Sequence, residues 1–470
     1  MQSENSYLNG AWAPVSDEVT LDKLEVIGEV PKDLNGTYFR NGPNPKFEPN
    51  GRHHVFDGDG MIHAAEFSNG KVTYRNKYVE TLGLQAEKKA GHAIWPGLMD
   101  RPDRSLPEGW GSDGWLKDNS NTDLVVHNGQ VISLFYQSGD GYLLDPKTLS
   151  PRGRLDLDSM GVRSISAHSM VDERTGELLF FDYSTKAPYM TYGVLSSTGE
   201  LTHYVPIDLP GPRLPHTLAF TEQYSILMDL PLFWDTELLE RDIHKVVFHP
   251  ELQSRFGIIK RYGAGDSIRW FNADPAYIYH ICTAREEGNK IILDGCRMES
   301  PAPPPEVLDK KSRLEAWTSN NARLYRWTFD LNTGETQEEW RDDRHSEFPL
   351  VSGQHLGYDA RYSYNALIDQ HSKTLRFSGL AKYDLDSTEA DVHDFGPGKF
   401  ASESPFAARD NSNAEDDGYV VSFVADENSD GSEIQIFDAQ NVSDGPVGRV
   451  LLPVRVPPGF HAFWAPESYL

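Results

Sequence analysis

Cysteine is scarce in this chain: of its 470 residues, only Cys282 and Cys296 carry a thiol. Two cysteines cannot build a disulfide scaffold, and their scarcity is typical of a reducing compartment. No apolar run reaches the roughly 18 residues that a membrane-spanning helix needs. The first residues, MQSENSYLNGAW, contain neither the basic nor the apolar segment of a signal peptide. We therefore expect a cytoplasmic protein.

Basic residues are too few to balance the acidic ones. Lys and Arg number 44 against 71 Asp and Glu, which gives a net charge of −27. A surface this acidic repels phosphate backbones, so we expect no nucleic-acid partner. Hydrophobic residues make up 38% of the chain, which supports a sizeable core and argues against global disorder.

Compact catalytic and metal-binding motifs are also absent. The sequence contains no HExxH, no CxxC, no GxSxG and no P-loop, although it has sixteen histidines. Any metal site must therefore be assembled from distant parts of the chain, and residue spacing alone does not reveal it.

What the sequence does contain is short runs of β-branched and aromatic residues bounded by turn residues. Examples are TDLVVHNGQVISLFY (122–136), ARLYRWTFDLNTGE (322–335) and GYVVSFVAD (418–426). The segments SNGK, HNGQ and LNTGE predict hairpin turns. Many short strands without a βαβ rhythm predict an all-β fold, and at this length a propeller with inserted loops fits best. Segments 84–100 and 232–247 are expected to be helical or irregular, and 96–120 to be a loop covering one face.

Four histidines stand in settings that differ from the rest. His168, His216, His280 and His461 each lie among apolar or small residues near a strand-like run. In a closed β structure, such residues can converge on the axis. The pattern alone leaves both a metal site and ordinary core or surface roles open.

The order of the motifs resembles that of the carotenoid cleavage oxygenases. RNGPNP (40–45) and HHVFDGDGMIHA (53–64) resemble the opening signature of that family. SAHSM, LPHTLAF, IRWF with REEGN, SEFP and FHAFW then follow in the family order. The resemblance implies a seven-bladed β-propeller, spanning residues 1–470 as one domain, with a dome of loops and short helices over one face.

The resemblance also implies one Fe(II) per chain on the propeller axis, bound by His168, His216, His280 and His461. Four imidazoles suit Fe(II) and leave two coordination positions open. Two glutamates are implied to orient these rings, Glu347 acting on His280 and Glu403 on His461. A third glutamate of the family is missing. Its place is taken by Tyr136 or Gln137, and the Gln137 carbonyl is expected to accept a hydrogen bond from His216.

The implied activity is dioxygenase chemistry, in which O2 as co-substrate cleaves a conjugated C=C bond into two carbonyl products. Relatives cleave either carotenoids and apocarotenoids or phenolic alkenes such as stilbenes and isoeugenol. The phenolic branch carries a lysine at the position of Phe135 or Tyr136 and a tyrosine at that of Leu84. None of these residues can stabilise a phenolate, which favours an apolar polyene. The alternatives are cleavage of phenylpropenoids or stilbenes to aldehydes such as vanillin, and a metal-free binding propeller.

The expected partner is thus a hydrophobic or aromatic alkene held in an apolar tunnel, with peripheral membrane contact during its uptake left open. For each candidate wall residue, ordinary core packing remains the alternative. The candidates are Phe135, Tyr136, Leu84, Phe233, Trp234, Trp270 and Phe271. The sequence does not predict the oligomeric state or which double bond is cut.

Overall fold

The computed structural model describes residues 5–103, 105–106, 109–111, 116–241, 243, 245–301, 320–410, 412 and 414–470. The described strands form a seven-bladed antiparallel propeller, as the sequence predicted. Four of its blades are built from separate sheets, and the other three belong to one continuous sheet of thirteen strands.

The four separate blades each run outward from a strand at the propeller axis. Blade 1 contains β32 (Ala462–Pro466), β3 (Gly36–Pro43), β4 (Gly60–Ser68), β5 (Lys71–Tyr78) and β1 (Thr20–Leu21). Blade 2 contains β6 (Asp123–His127), β7 (Gln130–Leu134), β8 (Tyr142–Leu144) and β9 (Pro151–Arg154). Blade 3 contains β10 (Met170–Asp172), β11 (Glu177–Tyr183), β12 (Met190–Leu195) and β13 (Leu201–Ile207). Blade 4 contains β14 (Ala219–Phe220), β15 (Tyr224–Asp229), β18 (Ser254–Lys260) and β19 (Arg269–Ala273).

The three remaining blades are continuous because β23 (Thr336–Leu350) passes from one to the next. Blade 5 contains β20 (Tyr277–Glu287), β21 (Lys290–Met298), β22 (Arg323–Asp330) and the first part of β23. Blade 6 contains the last residues of β23, then β24 (Tyr362–Ile368), β25 (Phe377–Asp384) and β26 (Ala390–Asp394). Blade 7 contains β27 (Lys399–Ala401), β28 (Phe406–Ala408), β29 (Gly418–Asp426), β30 (Gly431–Asp438), β31 (Pro446–Leu452) and β2 (Glu25–Gly28).

The three predicted hairpin turns are confirmed. SNGK joins β4 to β5, HNGQ joins β6 to β7, and LNTGE joins β22 to β23. In HNGQ, Asn128 and Gly129 have φ values of 48° and 68°, the left-handed backbone that a type I′ turn requires at both central positions. Asn and Gly adopt this backbone more readily than other residues, which is why the short turn signal was reliable.

The hydrophobic core lies mainly between neighbouring blades. One cluster packs Tyr38 and Tyr74 of blade 1 against Phe423 and Ile434 of blade 7. Strands at the axis are covered on both faces, so all five residues of β6 are buried, whereas the outlying β5 alternates between buried and more exposed positions. The packing of blade against blade therefore fixes where each strand at the axis begins.

The dome consists of loops and short helices on the face where the strands at the axis begin. Its helix α1 (Leu82–Ala90) starts at a Thr81 side chain that accepts from the Leu84 N–H. It ends at Gly91, which has a φ of 80°, so the segment 84–100, predicted to be helical or irregular, is helical in its first part and irregular after it. The described residues of 96–120 form a loop, and the rest of that predicted loop lies outside the described residues.

The second segment predicted to be helical or irregular, 232–247, is mostly a hairpin. β16 (Leu232–Trp234) pairs with β17 (Val246–Phe248), and only α3 (Thr236–Leu239) between them is helical. Aromatic and β-branched residues at both ends favour strands over a helix. A further α-helix among the described residues, α2 (Leu157–Met160), precedes β10. None of the described helices is long and apolar enough to cross a lipid bilayer.

Candidate metal centre

Four imidazole rings converge at the propeller axis, at the end where the innermost strands begin. His461 directly precedes β32, while His168 and His216 lie just before β10 and β14. His280 lies in the first part of β20. The ring centroid of His168 is 4.2 Å from that of His216, 4.5 Å from that of His461 and 5.1 Å from that of His280. Closure of the propeller thus brings together residues that are far apart in the sequence.

Ring nitrogens of three of these histidines are close enough together to hold one metal ion. One nitrogen each of His168, His280 and His461 lies within 4.8 Å of the other two. His216 is outside that group of three, but its ring lies 5.3 Å from the ring of His280. Nε2 of His168 and Nε2 of His280 are buried without a hydrogen-bond partner among the described residues. Because a buried unpaired polar atom is costly, two such nitrogens facing one point fit a bound cation.

The protonation of the rings also suits a metal. Burial, reinforced by the neighbouring imidazoles, holds the pKa of His168, His216 and His280 well below the ordinary value. Burial lowers the pKa of His461 as well, but the Glu403 carboxylate raises it, and the net shift is upward. Three neutral rings with free lone pairs are the donor type that metal binding requires.

Glu347 contacts His280, the pairing that the motifs implied. Oε2 of Glu347 lies 2.5 Å from Nδ1 of His280 and also accepts the Phe348 N–H at 3.0 Å. Burial raises the pKa of Glu347 to about 8. When Nδ1 of His280 carries the ring proton and donates it to this oxygen, Nε2 keeps its lone pair, and the carboxyl group fixes the orientation of the ring.

Glu403 contacts His461 in the same way. Its carboxylate oxygens lie 3.1 and 3.3 Å from Nδ1 of His461, and one of them accepts the Ala462 N–H at 2.5 Å. Glu403 itself lies between β27 and β28, where the strand at the axis of blade 7 is interrupted. The carboxylate therefore holds both the ring and the backbone that follows it.

The structure does not place Gln137 against His216. The Gln137 side chain hydrogen-bonds to the hydroxyl of its neighbour Tyr136. Among the described residues, no hydrogen-bond partner of a His216 ring nitrogen is found, and the ring instead makes an edge contact with Tyr279 at 4.7 Å. The bulky Tyr136 ring, which packs on Phe56, occupies the end of β7 where the family glutamate was expected.

Sequence reasoning missed Asp123, a buried carboxylate at the start of β6. Its Oδ2 accepts the His168 N–H at 2.6 Å, and it lines the same axial cavity as His168, His280 and His461. The cavity measures about 160 Å³. The sequence signal that could have found it is the position of SNTD directly before a strand-like run. SAHSM, which contains His168, has the same position in blade 3.

Some predicted tunnel residues lie beside the centre. Phe135, Tyr136 and Trp234 are buried in one hydrophobic cluster, with Phe56 packed against it. Phe56 contacts the rings of Tyr136 and Phe460, at centroid distances of 4.7 and 5.1 Å. Phe56, Tyr136 and Phe460 thus form an apolar wall, and Phe460 directly precedes His461 in the chain. Phe56 and Phe460 were not among the predicted wall residues.

The other predicted tunnel residues are placed elsewhere. Leu84 packs against Met61 and Tyr78 under the dome, and Phe233 is half-buried beneath the Arg213 guanidinium. Trp270 and Phe271 lie on β19, the outermost strand of blade 4, and pack between strands of the propeller. Their apolar character reflects packing away from the axis, which a linear sequence does not distinguish from a tunnel wall.

Comparisons with known proteins agree with this geometry. The family model described as retinal pigment epithelial membrane protein matches residues 12–466. A carotenoid 9,10(9′,10′)-cleavage dioxygenase of Crocus sativus is 34% identical over 499 residues, covering 99% of this chain and 90% of that protein. The chain belongs to the carotenoid cleavage oxygenase family.

Other relatives in the family are named for different substrates. An isoeugenol monooxygenase of Pseudomonas nitroreducens is 31% identical, with 98% of each chain covered. Pseudomonas brassicacearum lignostilbene dioxygenase superposes with a TM-score of 0.88 at 26% identity over 99% of both chains. A cobalt-substituted Synechocystis apocarotenoid oxygenase superposes with a TM-score of 0.83 at 26% identity over 97% of both chains. The family comprises non-haem iron dioxygenases that cleave alkenes, and the histidine cluster fits a metal site.

We expect that Glu347→Gln and Glu403→Gln each weaken metal affinity by about 10- to 100-fold while leaving the metal bound at saturation. An amide oxygen is a weaker acceptor than the carboxyl group it replaces, so each variant holds the Nδ1 proton of the neighbouring histidine less strongly and makes the ring a weaker metal ligand. Chelator competition with Co(II) measures the affinity.

Asp430→Asn is the control for these variants, because Asp430 is 84% exposed in the turn between β29 and β30. Equal losses in all three variants would show that the two glutamates have no special connection with the metal.

Proposed function

We propose that this chain binds one Fe(II) through His168, His216, His280 and His461 and uses O2 to cleave a conjugated double bond of a carotenoid or apocarotenoid. The convergence of the four rings on the axis, with two buried unpaired Nε2 atoms, carries the proposal. Four imidazole ligands favour Fe(II) over harder or more highly charged ions and leave two positions open.

Iron, when bound, supplies the activation of O2 without an external reductant, since the alkene provides the electrons. Each carbon of the cleaved bond gains one oxygen atom, so one alkene and one O2 give two carbonyl products. The residues of the chain supply the surroundings: Glu347 and Glu403 hold the rings, while Phe56, Tyr136 and Phe460 hold an apolar substrate and exclude water.

The polyene assignment rests on the absence of a suitable cation. Phe135 or Tyr136 takes the position of the lysine found in phenol-cleaving relatives, and the described lining of the axial cavity contains no Lys or Arg. The nearby buried Lys117 is held by Asp59 and Glu87, at 2.6 and 2.5 Å. A phenolate at this centre would therefore be buried without a counter-ion.

Cleavage of a phenolic alkene is the second candidate. The similarity to an isoeugenol monooxygenase and to a lignostilbene dioxygenase favours it. The ring of Tyr279 contacts that of His216 at 4.7 Å, and Tyr136 belongs to the apolar wall, so each offers a hydroxyl for a hydrogen bond to a neutral phenol.

Reaction of the Fe(II)-loaded protein with β-apo-8′-carotenal under ¹⁸O2, with no added reductant, tests the proposed reaction. The expected result is two carbonyl products, each carrying ¹⁸O when exchange with water is suppressed by rapid quenching. Absence of iron after reconstitution, or no product from any alkene, would contradict the proposal.

We expect that Phe56→Ala raises the KM for an apocarotenal by about tenfold with little change in kcat. The phenyl ring bridges Tyr136 and Phe460, and burying an aromatic side chain is worth about 1.5–3 kcal/mol. Phe233→Ala is the matched control, because Phe233 stacks under Arg213 outside this wall. Steady-state kinetics of both variants make the comparison, and a larger KM change in Phe233→Ala would place the substrate elsewhere.

A further inference from the structure

The seven strands at the axis each bring one polar side chain to the metal centre. Among the described residues, blades 3, 4 and 5 contribute His168, His216 and His280, which lie just before or early in the strand at the axis. Blade 1 contributes His461. Blades 6 and 7 contribute Glu347 and Glu403. Blade 2 contributes Asp123, the first residue of β6. The centre is thus built from four imidazoles and three buried carboxyl groups.

The Asp123 carboxylate is held in a defined position. Oδ2 accepts the backbone N–H of His168 at 2.6 Å, and Oδ1 accepts the N–H of Leu124 at 2.7 Å. His168 has a φ of 63°, a left-handed backbone that non-glycine residues rarely adopt. The hydrogen bond from Asp123 is therefore a direct restraint on the turn that presents the His168 ring.

The backbone around Asp123 also holds a second histidine. The carbonyl of Thr122 accepts the N–H of His461 at 3.3 Å. The side chain of the fully buried Asn41 donates to the Asp123 carbonyl at 2.8 Å, while the Asn41 N–H donates to the His461 carbonyl at 2.9 Å. The start of β6 is thereby fixed relative to both His168 and His461.

Blade 2 is also the blade in which the glutamate expected from the family is missing. Its place at the end of β7 is taken by Tyr136 and Gln137, neither of which carries a charge at neutral pH. β6 and β7 are paired neighbours, with Asp123 opposite Leu134, so Asp123 lies close to the end of β7. Blade 2 therefore lacks the family glutamate at the end of β7 but has a buried carboxylate, that of Asp123, on the adjacent strand β6.

We propose that Asp123 is a positioning residue of the metal centre, which holds the His168 turn and supplies the buried negative charge that the absent glutamate would have supplied. This inference rests on the proposed function, because it assigns the carboxylate a role toward the bound iron. Burial raises the pKa of Asp123 to about 6, and the two backbone N–H donors oppose part of that rise by favouring the charged form of the carboxylate. A negative charge near the cation strengthens its binding and stabilises Fe(III) relative to Fe(II).

The test compares Asp123→Asn with Asp123→Ala. Asparagine keeps a side-chain oxygen that can accept the His168 N–H but removes the charge, whereas alanine removes both. We expect Asp123→Asn to bind Co(II) about tenfold more weakly in chelator competition and to show a more positive Fe(III)/Fe(II) potential. Asp123→Ala should bind the metal still more weakly. The potential separates a charge effect from a merely structural one.

Asp118→Asn is the matched control. Asp118 is buried in the same segment and accepts the N–H groups of Ser120 and Asp140, both at 3.0 Å, but it does not line the axial cavity. It should leave metal affinity and potential unchanged. Wild-type affinity and potential in Asp123→Asn, or equal changes in Asp118→Asn, would overturn the inference alone. A wild-type protein that binds no metal would overturn the proposed function and this inference with it.

Discussion

Replacing His280 by alanine should abolish iron binding and alkene cleavage while the propeller stays folded. Nε2 of His280 is buried without a partner among the described residues, and its ring lies 4.5 Å from that of His461. Removing one of four imidazoles leaves an incomplete donor set, so the iron content should fall below about a tenth of an equivalent. Elemental analysis of the purified variant measures this directly.

The fold should survive the His280→Ala change because Glu347 can remain neutral. Burial raises the pKa of Glu347 to about 8, so the carboxyl group can hold a proton at neutral pH once its histidine partner is gone. His127→Ala is the control, since His127 is a buried histidine at the far end of β6 that contacts the Gly176 carbonyl at 3.1 Å. Full iron content in folded His280→Ala would remove His280 from the ligand set.

The second large effect concerns substrate choice. We expect turnover of an apocarotenal without added reductant, and turnover of isoeugenol or hydroxystilbenes that is slower by about 10- to 100-fold. Burying a polar group without a partner costs about 1–3 kcal/mol, and each 1.36 kcal/mol in a barrier is tenfold in rate. Parallel assays of kcat/KM with β-apo-8′-carotenal and isoeugenol, on one iron-loaded preparation, make the comparison.

The opposite ranking would be informative about particular residues. Rapid formation of vanillin from isoeugenol, with no reaction on any apocarotenal, would contradict the polyene assignment. It would show that a neutral phenol is accepted through hydroxyl groups such as those of Tyr136 and Tyr279, in place of the lysine of the phenol-cleaving relatives. A Tyr136→Phe variant would then lose activity toward isoeugenol selectively.

The fold could be predicted from the sequence because its signals are local. Asn-Gly turns and short runs of β-branched and aromatic residues mark hairpins wherever they occur, and SNGK and HNGQ are both found as predicted. The segment 232–247 was harder to interpret, because a short apolar run such as LFW does not distinguish a strand from a helix by periodicity.

The centre could be predicted only through the ordered motifs. His168 and His461 are brought together by propeller closure, which no local pattern encodes. The contacts of Glu347 and Glu403 with their histidines follow from the same motifs. Asp123 escaped notice because a carboxylate at a strand start is common, and only its burial beside three histidines distinguishes it.

The substrate wall was predicted least well, for a geometric reason. Trp270, Phe271 and Tyr136 are all apolar or aromatic residues in strand-like segments, but β19 lies at the outer edge of its blade and the end of β7 lies near the axis. Which aromatic ring contacts a substrate depends on its distance from the propeller axis. The sequence does not give that distance.

A crystal structure of the iron-loaded protein, with anomalous scattering recorded above and below the iron edge, tests the central claim most directly. The account predicts one anomalous peak on the propeller axis, within bonding distance of a nitrogen of each of His168, His216, His280 and His461. A peak bound by other residues, or a folded, reconstituted protein with no peak between these four rings, would contradict it.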